Sequence, residues 1–118
     1  MTTPSDSIHD LSEEIRRFVT EREWDQFHDP KNLVMLLSSE VGELTAELRW
    51  IASDGADAYA QGDARERIQD ETADVAIALL MLAARTKINL AAAVREKLAK
   101  NAEKYPVDLS RGRAERPR

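Results

Sequence analysis

The sequence predicts an all-α fold, a bundle of four main helices. Three observations carry this. Glycine and proline occur only four times each in 118 residues, and β-branched runs are sparse. Apolar residues recur at the 3.6-residue period of a helix with one buried face. Cap-forming residues and prolines stand where those periodic stretches begin and end. A chain of 118 residues supports one core and is small enough to gain from self-association.

The first helix is expected to start at Asp6 or Ser7, either of which can cap it. Ile8, Leu11, Ile15, Phe18 and Val19 form its apolar stripe, and it ends before the aromatic-rich loop Trp24 to Pro30. The second runs from about Lys31 to Ala52, with Pro30 near its start, where a missing N–H costs nothing. Residues 53–62, with Gly55, Gly62 and small or acidic side chains, read as a connecting loop. Asp63 and Glu66 have capping-box spacing and open a third helix reaching about Thr86. Asn89 caps a fourth, with Leu90, Val94 and Leu98 facing inward, which continues to about Glu103 and is stopped by Pro106. Residues 1–106 thus form the expected domain. Residues 107–118 form a polar tail, expected to be mobile or draped on a neighbour.

Composition narrows the function. Without cysteine there are neither disulfides nor thiolate metal sites. No 18-residue apolar run is present, and the N-terminal residues lack a signal peptide's charged and apolar regions. The expectation is a cytoplasmic protein with no membrane partner. A formal net charge of -5 argues against binding nucleic-acid polymers, although local lysines and cations can still hold an anionic ligand.

The second and third helices carry acids where apolar residues belong. Glu40, Glu43 and Glu47 fall on one stripe at the edge of the Leu37, Val41, Leu44 and Leu48 face. Glu71 and Asp74 sit beside Ile68, Val75, Ala78 and Leu82. Acids normally lie opposite the apolar stripe. Carboxylates in an interior are costly unless paired or bound to a metal. A spacing of three puts Glu40 with Glu43, and Glu71 with Asp74, on single helix faces that a bundle can bring together. Such converging hard oxygen ligands suit Mg²⁺, which leaves positions for water and phosphate. The residues alone leave a second reading open, since Glu-x-x-Glu pairs are common on solvated helices.

Around the acids stand Arg22-Glu23-Trp24-Asp25-Gln26-Phe27-His28, Pro30-Lys31-Asn32-Leu33, Glu40-Val41-Gly42-Glu43-Leu44 and Trp50. Downstream come Asp70-Glu71-Thr72-Ala73-Asp74-Val75 and Lys97-x-x-x-Asn101-x-x-Lys104-Tyr105-Pro106. Over residues 8–106 the chain resembles the MazG-like family of all-α nucleoside triphosphate pyrophosphohydrolases, on its dCTP pyrophosphatase branch. The resemblance implies hydrolysis of a (deoxy)nucleoside triphosphate, dCTP or a modified dCTP, to the monophosphate and pyrophosphate. It makes Glu40, Glu43, Glu71 and Asp74 the catalytic metal ligands for Mg²⁺, with Mn²⁺ as a substitute. Phosphoryl transfer is mostly positioning and charge neutralisation, so carboxylate-held cations suit it.

The resemblance also implies a nucleotide site around that centre. Trp24 and Trp50 would stack on the base, although tryptophans otherwise serve core packing or interfaces. His28 would meet phosphate or cap its own loop. Lys31 lies at a helix N-terminus that favours anions, beside an Asn32 that can equally organise the turn. Lys97, Asn101, Lys104 and Tyr105 share a helical stripe and become substrate contacts, where composition alone would read a solvated face. Glu47 is read as pairing with Arg49 or a neighbouring helix rather than as an outer carboxylate. The chain departs from the dCTP-hydrolysing pattern at Ala78, where a sugar-lining tyrosine is common, and at Ile15, where some relatives carry a histidine. Both departures bear on base and sugar selectivity and spare the metal chemistry. The rival expectations are a relative directed at dUTP or phosphoribosyl-ATP, and a non-catalytic helical interaction module. Assembly is expected to be homo-oligomeric, a tetramer built as a dimer of dimers or a dimer.

Overall fold

The computed structural model describes residues 7–114. They form α1 (Ile8–Glu21), a 3-10 turn (Asp25–Phe27), α2 (Pro30–Leu48), α3 (Ser53–Gln61), α4 (Arg65–Arg85), α5 (Leu90–Lys104) and α6 (Val107–Ser110). The all-α expectation holds. The contacts divide the chain into one compact unit up to Lys87, holding α1 to α4, and another from Ile88 on, holding α5 and α6.

Local chemistry sets the helix ends. Ser7 caps α1, its Oγ accepting from the Asp10 N–H at 3.1 Å, while Asp6 lies outside the described residues. After α1 the chain reverses through Glu23, at φ +56°, and the Trp24 N–H returns to the Val19 carbonyl at 3.1 Å. Asp29 caps α2 by accepting from the Asn32 N–H at 2.9 Å, and Pro30 occupies the first turn. Asn32 also donates to the Phe27 carbonyl at 3.0 Å, so it organises the turn.

Three expectations need correction in the next stretch. The second helix stops at Leu48 rather than Ala52, because Ala52 turns extended and leads directly into α3. Residues 53–61 are that helix and not a loop. Ala56, Ala58 and Ala60 supply helix propensity that outweighs Gly55. Asp63 does not cap α4; Ala64 holds that position without a side-chain bond. The Asp63 carbonyl instead accepts from Arg67 Nη1 at 3.3 Å.

In the first unit α2 lies along α4, and α1 and α3 also rest on α4. Val19, Leu33, Ala64, Ala78 and Ala83 are buried, and Leu33 is the largest fully buried side chain. Alanines on α4 let the neighbouring helices approach closely, at the cost of a thin core. Ile8, Leu11 and Phe18 of the expected α1 stripe remain exposed, and so do Val34, Met35, Leu36 and Val41 on α2.

In the second unit Asn89 caps α5 as expected, accepting from the Ala92 N–H at 3.0 Å. Val94 and Leu98, expected inward, are exposed. Pro106 follows α5, and α6 comes directly after it at the start of the polar tail; residues 115–118 lie outside the described residues. No single described helix is long and apolar enough to cross a membrane.

Candidate metal and nucleotide site

The α2–α4 pair is antiparallel, because Glu47 near the end of α2 meets Arg67 near the start of α4 at 2.9 Å. Along this seam the acids face one another, Glu43 repelling Glu71 and Asp74 repelling Glu40. One ligand oxygen from each of Glu40, Glu43, Glu71 and Asp74 can be chosen so that all lie within 4.8 Å of one another. The two expected acid pairs are therefore one cluster.

Its electrostatics are unbalanced. Glu40 and Glu71 are half-buried while Glu43 and Asp74 are exposed. Glu40 Oε2 and Glu71 Oε2 are buried without a hydrogen-bond partner. Desolvation, followed by repulsion from Glu43 and Asp74 and a hydrogen bond with Glu43, raises the Glu40 pKa above the usual carboxylate range. Glu71 is raised by desolvation, then by its hydrogen bond to Glu43 and by repulsion from Glu43, Asp74 and Glu40. Buried polar atoms normally find partners, so two orphaned oxygens facing like charges call for a cation. Hard carboxylate oxygens at this separation fit a divalent ion.

The other expected contacts fall into four groups. Trp24 is partly exposed beside the 3-10 turn, its ring edge-on to Phe18 at 5.8 Å and 74°, and Arg22 covers that phenyl ring at 3.6 Å. His28 lines a cavity of about 200 Å³ with Ile15, Arg16, Asp25, Leu33, Met81 and Arg85, among others. Trp50 is 86 % exposed, with Arg49 5.7 Å from its ring centre, and Lys31 is exposed in the first turn of α2. Lys97, Asn101 and Lys104 lie on α5, and Tyr105 ends it with the Lys104 ammonium 5.6 Å from its ring. These four belong to the second unit.

Sequence reasoning missed one residue. Arg67 donates through Nε to both oxygens of Glu47, at 2.9 and 3.3 Å, and through Nη2 to the Tyr59 hydroxyl at 3.2 Å. Glu47 thus pairs with a neighbouring helix, one of the two partners expected for it. The signal was present: Arg67 stands four residues before Glu71 as Glu47 stands four after Glu43.

A family model described as the MazG-like family matches residues 37–116. The dCTP pyrophosphatase 1 of Rattus norvegicus is 41% identical over 114 residues, 95% of this chain and 66% of that protein. The Homo sapiens protein of the same name is 39% identical over 111 residues, covering 92% of this chain and 65% of its own length. The chain therefore spans just under two thirds of the length of these relatives. The crystal structure of a pyrophosphatase from Archaeoglobus fulgidus is similar with a TM-score of 0.80 and 34% identity, covering 90% of this chain and 98% of that one.

Proposed function

The chain belongs to the MazG-like family, and on that premise we propose that it is a nucleoside triphosphate pyrophosphohydrolase acting on dCTP or a modified dCTP. The observation that carries this is the pair of orphaned carboxylate oxygens, Glu40 Oε2 and Glu71 Oε2, within a four-acid cluster. The rat and human relatives named dCTP pyrophosphatase 1 support the choice of nucleotide. Glu40, Glu43, Glu71 and Asp74 would hold Mg²⁺, or Mn²⁺ in its place. When bound, such a cation neutralises charge on the phosphates and acidifies water. Water adds to the α-phosphorus, and the oxygen bridging to the β-phosphorus leaves with pyrophosphate.

The remaining roles belong to the same proposal. Trp24 and Trp50 offer aromatic faces to the base. His28 and Lys31 serve the phosphates, and Lys97, Asn101, Lys104 and Tyr105 supply further contacts from the second unit. Residues 1–106 are taken as the catalytic domain, 107–118 as a tail, the setting as cytoplasmic and the assembly as a homo-oligomer. Ala78 is 1% exposed, so its methyl group builds the helix seam and offers a ligand almost no surface.

The test is pyrophosphate release from a panel of deoxynucleotides, dUTP included, and phosphoribosyl-ATP, with and without Mg²⁺. dCTP or a modified dCTP is expected to be turned over fastest, and only with the cation. Glu40→Gln, Glu43→Gln, Glu71→Gln and Asp74→Asn are each expected to lose most turnover while circular dichroism stays helical. Near-normal Mg²⁺-dependent activity in any two of them would defeat the assignment. A chain without turnover on the whole panel would support the non-catalytic module.

A further inference from the structure

Antiparallel packing sets three polar rungs along the α2–α4 seam, with Glu40 and Glu43 against Asp74 and Glu71 in one cluster within 4.8 Å and Glu47 against Arg67 at 2.9 Å. Two are acid against acid, and the third is acid against base. On both helices the third rung lies four residues from the second, one turn or about 6 Å along the axis. Arg67 is bound on three sides. It meets Glu47 on α2, the Tyr59 hydroxyl on α3, and the Asp63 carbonyl just ahead of α4. Among the described residues the other ion pairs, Glu13 with Arg16 and Glu21 with Arg22, are local to α1 or its cap. Only the Arg67 pair joins two helices of the seam.

Such a pair adds little to global stability, since Arg67 is 55% exposed and solvent screens exposed ion pairs. Its geometry is the more informative property. A guanidinium presents its donors in a rigid planar fork, which fixes direction as well as distance. One residue of slip or a modest rotation between α2 and α4 would part the facing acid pairs, whose mutual repulsion favours that separation. We propose that Arg67 is a positioning residue for the metal site, locking α2 and α3 to the first turn of α4 so that Glu71 and Asp74 stay opposite Glu43 and Glu40. This rests on the proposed metal-binding reading of the four acids.

The sign of one measurement separates positioning from plain electrostatics. Removing a cation near a cation site tightens metal binding through space, whereas losing the register loosens it. Mn²⁺ titration, with free ion followed by electron paramagnetic resonance, gives the dissociation constant without turnover. Arg67→Ala is expected to weaken Mn²⁺ binding about tenfold, the scale on which supporting residues act at metal centres. Arg67→Lys keeps the charge and loses the fork, and is expected to bind more weakly than the parent. The swapped pair Glu47→Arg with Arg67→Glu is expected to recover most of the affinity. If Arg67→Ala does not fold by circular dichroism, the affinity of Arg67→Lys decides between the two effects. Affinity in the folded variant that equals or exceeds the parent's overturns the positioning role alone. A parent chain that takes up no Mn²⁺ overturns the metal reading as well.

Discussion

Lys87 and Glu23 each hold left-handed backbone, at φ +58° and +56°, immediately after a helix. That is the position where glycine is favoured, because a Cβ there crowds the following carbonyl. Lys87 follows Thr86, whose hydroxyl donates to the Leu82 carbonyl at 2.8 Å and closes α4. Replacing Lys87 with glycine is expected to stabilise the chain by up to about 1 kcal/mol, the strain relieved exceeding the entropy glycine adds to the unfolded state. Urea unfolding of parent and Lys87→Gly checks this; an unchanged or lower midpoint contradicts it. Single residues also show where the sequence was legible. The acids Glu40, Glu43, Glu71 and Asp74 could be read because helical spacing and misplaced charge are local properties. The Arg67 spacing was local too, but it becomes a contact only once it is known which turn of α2 meets which turn of α4. Asp63 misled for a related reason: its spacing suited a cap, but the chain enters α4 one residue later.

Among the elements, α3 was hidden because its apolar stripe, Ala56, Tyr59 and Ala60, is short and made mostly of alanine. The antiparallel α2–α4 seam has the larger energetic consequence. Glu40 and Glu71 have raised pKa values. A group that binds its proton more tightly when folded adds stability below its unfolded pKa, and that contribution is lost as pH rises through the folded value. Cation-free protein should therefore lose stability as pH rises from the ordinary carboxylate pKa through the raised folded values. Mg²⁺ should flatten that loss by replacing the proton, and add about 2.7 kcal/mol at a hundredfold excess over Kd. Melting temperatures would be compared across pH with chelator, with millimolar Mg²⁺ and with NaCl at matched ionic strength. Equal melting temperatures in Mg²⁺ and NaCl would mark the cluster as a solvated acidic face.

For the whole molecule, the thin core leaves much apolar surface uncovered. Met35, Val34 and Val41 on α2, Phe18 on α1 and Trp50 are all exposed, and isolated domains seldom show so many large apolar side chains to solvent. This supports the proposed homo-oligomer. Light scattering at micromolar concentration is expected to report a dimer or tetramer, and a monomer would contradict it. Placing a charge on the exposed stripe, as in Met35→Glu, should shift the population toward smaller species.

The three-rung seam also says where the gene can gain or lose codons. An added residue within a helix turns everything beyond it by about 100° relative to the other side. One codon inserted between Glu40 and Glu43 would rotate Glu43 and Glu47 by about 100° relative to Glu40, off the turns of α4 that carry Glu71 and Arg67. One inserted between Glu43 and Glu47 would spare Glu40 and Glu43 and turn Glu47 away from Arg67. The bend at residues 49–52, between α2 and α3, imposes no such phase. Length variation is therefore expected to collect there, while the stretches from Leu33 to Glu47 and from Arg67 to Met81 keep a fixed count.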